Sequence, residues 1–249
     1  MWVTGEVIER IDWNDKLFSL KIKAPIEPYI AGQFIKLSQI RDDKRIARAY
    51  SVVNPPGSDY IEILAVAVEN GQLSPDLQSL SAGDTIEVTP KATGFMTLDE
   101  IPHGALQGNH LWLISTGTAV GPFISMLLTD EPWQRFEKVV LVYGVRLAED
   151  LAYLSAIKQL QAKYPQQFHF IPIVTREPFE GALTCRIPDA INSGLLQQKV
   201  SLAINAEDSQ VMICGNPGMI ADAQTALLTL GLTKNLRRAP GQITVEKYW

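Results

Sequence analysis

The stretch Leu111-Trp112-Leu113-Ile114-Ser115-Thr116-Gly117-Thr118-Ala119-Val120-Gly121-Pro122 decides the fold of the C-terminal part of the chain. Its unbroken apolar opening predicts a strand buried on both faces, as in a parallel sheet. A glycine-rich turn follows, and Pro122 sits where the first turn of a helix over Phe123–Leu128 tolerates it. A strand that turns into a helix N-terminus presents amide N–H groups and a positive dipole end to a pyrophosphate. The turn is not the G-x-G-x-x-G fingerprint, because Thr118 and Ala119 interrupt it.

Toward the C-terminus the same alternation repeats. Strands are predicted at Val139–Tyr143, Phe168–Val174, Val211–Cys214 and Gln242–Glu246, with helices at Leu151–Lys163 and Met219–Leu230. Such a sequence folds as a parallel sheet with helices on both faces, and ligands bind beyond the carboxyl ends of its strands. At those ends stand Thr116–Gly121, Arg146, Thr175-Arg176 and Gly215-Asn216-Pro217-Gly218. Arg176 and the nearby Arg186 suit a phosphate monoester, whereas an NAD site more often offers a carboxylate to the ribose hydroxyls. The competing reading of each arginine is a surface ion pair. Cys214 reads by default as an inert buried residue. His103, His110 and His169 have no ligand spacing and no cysteine–histidine cluster exists, so no metal site is predicted.

Toward the N-terminus the pattern is short strands broken by turns: Val3–Ile8, Leu17–Lys23, Gln33–Ser38, Ala49–Asn54, Tyr60–Val68 and Thr85–Val88. One short helix is predicted at Ser74–Leu80, with Ser74 as its N-cap before Pro75. This composition predicts a small antiparallel barrel. Within it, Arg48-Ala49-Tyr50-Ser51 places a guanidinium, a stackable ring and a hydroxyl close together. Such a set can hold a phosphate, cover a flat ring and hydrogen-bond a ring edge; the alternative is an ordinary strand with a surface arginine. Thr93-Gly94-Phe95 allows close backbone approach to a ligand.

The 249 residues suit two domains, and a net charge of −5 gives no support to nucleic-acid binding. No apolar run reaches about 18 residues, and the N-terminus lacks a basic segment followed by an apolar one. Two cysteines are too few for a disulfide framework, so a cytoplasmic protein without membrane spans is expected. Basic residues gather at Arg41, Lys44 and Arg45 and at Lys234, Arg237 and Arg238; each cluster alone reads as a solvated loop.

Taken together, several motifs resemble the ferredoxin (flavodoxin)–NADP+ reductase family, in its bacterial branch ending in aromatic residues. They are Ala31-Gly32-Gln33-Phe34, Arg48-Ala49-Tyr50-Ser51, Gly71–Ser74, Gly83-Asp84, Gly117–Pro122, Cys214-Gly215-Asn216-Pro217 and Val245-Glu246-Lys247-Tyr248-Trp249. The resemblance covers nearly the whole chain. It implies a Greek-key FAD-binding β-barrel over residues 1–100 and an NADP-binding α/β domain over residues 101–249. Arg48, Gln72, Leu73 and Ser74 would hold the FAD pyrophosphate. Ala49, Tyr50, Ser51 and the main chain of Leu64, Ala65, Val66 and Ala67 would line the flavin, and Thr118 would reach it. Tyr248 or Trp249 would stack on the ring.

The same resemblance implies that Arg146, Thr175, Arg176 and Arg186 hold NADP(H). Asn216, Pro217, Gly218 and Asp222 would border the nicotinamide. Ser51, Cys214, Glu246 and Trp249 are the implied catalytic set. The implied activity is hydride transfer from NADPH to FAD, followed by single-electron delivery to ferredoxin or flavodoxin. Nothing in the sequence suggests more than a monomer. The alternatives are a reductase of free flavin, a cytochrome or an oxygenase on the same scaffold, or a flavin-binding module without turnover. Ala119 stands where much of the wider family has a third glycine, and Lys247 has no assigned role.

Overall fold

The computed structural model describes residues 1–104 and 107–248. The chain divides into two compact units, Met1–Thr97 with Gly121–Thr129, and Leu98–Val120 with Asp130–Trp249.

The first unit is a six-stranded antiparallel sheet. Its strands are β1 (Val3–Asp12), β2 (Leu17–Lys23), β3 (Phe34–Arg41), β4 (Lys44–Ser51), β5 (Ile61–Val66) and β6 (Thr85–Val88), in the order β4-β3-β6-β1-β2-β5. The end strands meet through a Val52–Ile63 bridge and a bond from the Val53 amide to the Glu62 carbonyl (2.8 Å), which rolls the sheet into a barrel. Alternation fills the interior: Phe18, Leu20 and Ile22 of β2 and Ile35 and Leu37 of β3 are all buried in one cluster. Gly32 is required where it stands. It has φ +99°, and a Cβ there would lie 1.8 Å from the Met96 carbonyl oxygen.

Helix α1 (Ser74–Ser79) is the predicted short helix, but its N-cap is Leu73 rather than Ser74. The Ser74 hydroxyl instead accepts from the Val68 amide (3.0 Å), so it staples the preceding loop and does not cap the helix. The basic cluster Arg41, Lys44 and Arg45 is likewise not a loop. It occupies the paired ends of β3 and β4, joined by Asp42-Asp43 with φ 50° and 57°, the positive pair that a tight hairpin turn needs. Arg41 pairs with Asp76 (2.5 Å) and Arg45 with Glu87. Helix α2 (Gly121–Leu127) is buried at every position, and the Ser125 hydroxyl donates to the Asn54 carbonyl (2.9 Å).

The second unit is a five-stranded parallel sheet of β7 (His110–Thr116), β8 (Lys138–Val145), β9 (Phe168–Val174), β10 (Ser209–Gly215) and β11 (Ile243–Lys247), ordered β11-β10-β7-β8-β9. The chain runs outward from β7 through β8 to β9, then returns to the other side of β7. The order therefore reverses between β7 and β10, the place where such sheets open a crevice. One face packs Trp112, Ile114, Val140, Val142 and Ile213 against residues of α5 (Ile187–Asn192), α6 (Leu195–Val200) and α7 (Pro217–Thr229). Helix α4 (Leu154–Lys163) starts three residues later than its apolar spacing predicts, because Tyr153 adopts φ 62° and breaks the turn before it. The short helices α3 (Glu131–Arg135), α5 and α6 are too brief to show a full apolar period in the sequence. No described helix is long and apolar enough to cross a membrane.

Candidate functional site

In the first unit the candidate ligand surface is built on β4. Arg48 and Tyr50 share a face by alternation. The Arg48 guanidinium donates to Gln72 Oε1 (2.7 Å) and to the Ala47 carbonyl (2.8 Å), so it is held in place while remaining exposed. Leu73 is buried in the barrel core at 1% exposure and fixes the loop from which Gln72 reaches out; what Leu73 can offer a ligand is main chain. Tyr50 is packed into the core, and burial pushes its phenol up to about 12 against the pull of Arg48, so it stays neutral near pH 7. Ser51 is buried beside Gly121, where a Cβ would stand 3.6 Å from the Ser51 Cβ. Ala49 lies half-buried opposite Lys36 in the β3–β4 register.

Strand β5 adds an edge. Among the described residues its one ladder is with β2, and the contact toward β4 stops at the Val52–Ile63 bridge. The side chains of Leu64 and Ala65 are buried, while Val66 is 40% exposed. Leu64–Ala67 therefore presents backbone groups rather than side chains on that side. A guanidinium, a neutral aromatic ring and a strip of strand edge are the donor set that a flavin with its pyrophosphate requires. The residues present fit FAD.

In the second unit the β10 register sets the chemistry. Cys214 pairs with Ser115 on one side and with Glu246 on the other, so the three lie in one row across the sheet. Burial, with a smaller contribution from the Glu246 carboxylate, pushes the Cys214 thiol well above its ordinary value; it is a protonated thiol, not a thiolate nucleophile. The next row brings Gly215 against Thr116. A Cβ at Gly215 would lie 2.4 Å from Thr116 Oγ1 and 2.8 Å from Met219 Cε, so glycine is the residue that fits. Gly117, with φ +56°, turns the chain out of β7 toward half-buried Thr118.

Asn216 caps α7, its side-chain oxygen accepting from the Gly218 (2.8 Å) and Met219 (3.3 Å) amides, with Pro217 in the first turn. Asp222 is exposed one turn further along α7. The Tyr248 amide donates to the Gly215 carbonyl (3.0 Å), which carries the β11 pairing one residue past Lys247. Trp249 lies outside the described residues.

The arginines gather at the far edge of the sheet. The Thr175 amide and hydroxyl both bond the Val145 carbonyl (3.1 and 3.3 Å), and the Arg176 amide bonds the Arg146 carbonyl (3.0 Å). The chain after Arg176 folds back, so that Leu183 bridges Ile173 in parallel. Arg176 and Arg186 each stand three residues beyond that bridge in the same direction, which brings both to the same end of β9. Arg146, Arg176 and Arg186 are exposed, and none has an ion pair among the described residues. The sequence pattern does not single out Glu177, whose carboxylate accepts from the Ala148 amide (2.5 Å).

A barrel with a flavin-type donor set, joined in sequence to a parallel sheet with a cationic edge, defines a flavin-dependent pyridine-nucleotide oxidoreductase. Comparison with known proteins agrees. Residues 5–94 match the oxidoreductase FAD-binding domain, and residues 113–225 match the oxidoreductase NAD-binding domain. The chain is 45% identical to the flavodoxin/ferredoxin–NADP reductase of Escherichia coli K12, over 100% of this chain and 99% of that one. It is 34% identical to the ferredoxin–NADP reductase of Pseudomonas aeruginosa, over 98% and 96%. Its fold matches a ferredoxin NADP+ reductase from Neisseria gonorrhoeae, solved with bound FAD and NADP, at a TM-score of 0.92 and 30% identity, covering 99% of this chain and 98% of that one. The chain belongs to the flavodoxin/ferredoxin–NADP reductase family.

Proposed function

We propose that this protein is an FAD-dependent reductase that takes hydride from NADPH and delivers electrons singly to ferredoxin or flavodoxin. The observation that carries the NADPH assignment is the pair Arg176 and Arg186 at one end of β9, neither with an ion pair among the described residues. Two guanidiniums with no carboxylate paired to them suit the extra phosphate of NADPH. Arg146 and Thr175 hold other parts of NADP(H). Arg48, Gln72, Leu73 and Ser74 hold the FAD pyrophosphate, Tyr50 covers a ring face, and Ala49, Ser51 and the Leu64–Ala67 backbone meet the ring edge. Thr118, Tyr248 and Trp249 are further ring contacts. Bound FAD supplies the exchange between one two-electron step and two one-electron steps.

The protein's own part is positioning and exclusion of water. Asn216, Pro217, Gly218 and Asp222 border the nicotinamide. Cys214 keeps a protonated thiol beside it, and Glu246, its neighbour in register, supplies a carboxylate that exchanges protons with solvent. The C-terminal aromatic must yield to the nicotinamide during turnover. Residues 1–100 and 101–249 serve as the FAD- and NADP-binding domains of a cytoplasmic monomer.

The carriers are acidic, and so is this chain overall, so docking needs a local basic surface. A Leu236–Ala239 bridge holds exposed Arg237 and Arg238 at the tip of a tight turn, with exposed Lys234 close by in sequence. The test is NADPH-driven reduction of a flavodoxin or ferredoxin at rising ionic strength. The rate per carrier falls with salt if this turn steers docking, and a salt-independent rate contradicts it.

A further inference from the structure

Strands β8 and β9 do not part at their last register pair, Val145 with Val174. Backbone bonds continue from Thr175 to Val145 (3.1 Å) and from Arg176 to Arg146 (3.0 Å). At the next rung a side chain takes over as acceptor, when Glu177 Oε1 receives the Ala148 amide (2.5 Å). On the other flank of the same loop, Asp150 Oδ2 receives the Leu147 amide (3.3 Å). Glu177 is exposed, so core packing does not account for it. Placed directly after Arg176, an untethered carboxylate would compete with a phosphate for that guanidinium. Tethered to an amide, it spends its charge on the strap.

We infer that Glu177 is a positioning residue for NADPH selectivity: its carboxylate straps the loop carrying Arg146 to the loop carrying Arg176, and thereby fixes the backbone from which Arg176 reaches the 2′-phosphate. The inference rests on the assignment of those arginines to NADP(H). A small displacement of that backbone is costly, because it shifts Arg176 against Arg186, and recognition of one phosphate by two guanidiniums depends on their mutual geometry.

The test uses the FAD-loaded enzyme as wild type, Glu177→Ala and Glu177→Gln. It measures kcat/KM for NADPH and NADH, and the Kd of 2′-phospho-AMP against 5′-AMP by calorimetry. Glu177→Ala lowers the NADPH-to-NADH selectivity ratio about ten-fold and weakens 2′-phospho-AMP by a similar factor relative to 5′-AMP. Glu177→Gln, which keeps an acceptor oxygen in place, restores most of that selectivity. Equal losses for both cofactors in Glu177→Ala, an unchanged ratio, or a Gln variant as unselective as the Ala variant overturns the strap. A wild-type enzyme with no preference for the 2′-phosphate overturns the arginine assignment and the strap with it. A selective wild type beside an equally selective Glu177→Ala overturns the strap alone.

Discussion

Arg48 on the barrel and the Arg176–Arg186 pair on the α/β unit are the same side chain set in opposite ways. Arg48 is tied by Gln72 and the Ala47 carbonyl before any ligand arrives. Arg176 and Arg186 have no ion pair among the described residues and stand in solvent, with only their backbones fixed. A guanidinium held ready loses little freedom on binding and favours a resident ligand; one left loose gives up more and favours a ligand that leaves each cycle. The contrast fits the roles proposed for them, with Arg48 on a cofactor that stays and the pair on a cosubstrate that exchanges.

The largest effect expected is at the loose pair. Removing both guanidiniums in Arg176→Ala/Arg186→Ala raises KM for NADPH on the order of 10³-fold, from two charge-assisted bonds of about 2 kcal/mol each. NADH moves far less, and steady-state kinetics with the two cofactors checks it. Equal losses would mean that the pair does not read the phosphate. At the tied site, Arg48→Ala weakens FAD about 10²-fold, read by fluorescence titration of apoprotein, with cofactor selectivity unchanged. A shift in selectivity there would erase the distinction between the two sites.

A smaller effect is expected on the barrel side, from Ser51→Ala. It slows flavin reduction by NADPH about ten-fold in stopped flow while FAD stays bound, the scale of one hydrogen bond. An unchanged rate removes Ser51 from the chemistry. The smallest effect is the pH response of Cys214. Its folded pKa lies above the ordinary value of 9.0, so the unfolded chain loses the thiol proton first as pH rises. The stability from this group is full below about pH 9 and declines above it, by up to about 1.4 kcal/mol per pH unit. Thermal melts of wild type and Cys214→Ala between pH 8 and 10 show that decline only in the wild type.

Much of this is legible in residue order alone. The apolar run at Leu111–Ser115 and its repeats announce a doubly covered parallel sheet, because only burial on both faces permits such continuity. Leu17–Lys23, Thr85–Val88 and Phe168–Val174 fall on their predicted bounds, since turn residues flank each of them. Other features depend on contacts between residues distant in sequence. Ser74 looks like a cap, yet its hydroxyl is claimed by Val68 across the loop. The hairpin at Asp42-Asp43 needs two non-glycine residues at positive φ, which no local rule favours strongly. The row formed by Ser115, Cys214 and Glu246 exists only through strand register. Glu177 is invisible for the same reason: its partner amide is on a different strand's loop.

Whether NADPH reduces a bound flavin is read from an anaerobic visible spectrum of the purified protein, before and after one equivalent of NADPH with NADH in parallel. The expected result is a flavin band that NADPH bleaches and that NADH bleaches slowly or not at all. A flavin band that NADPH cannot bleach, or no flavin bound even after FAD is added, would contradict it.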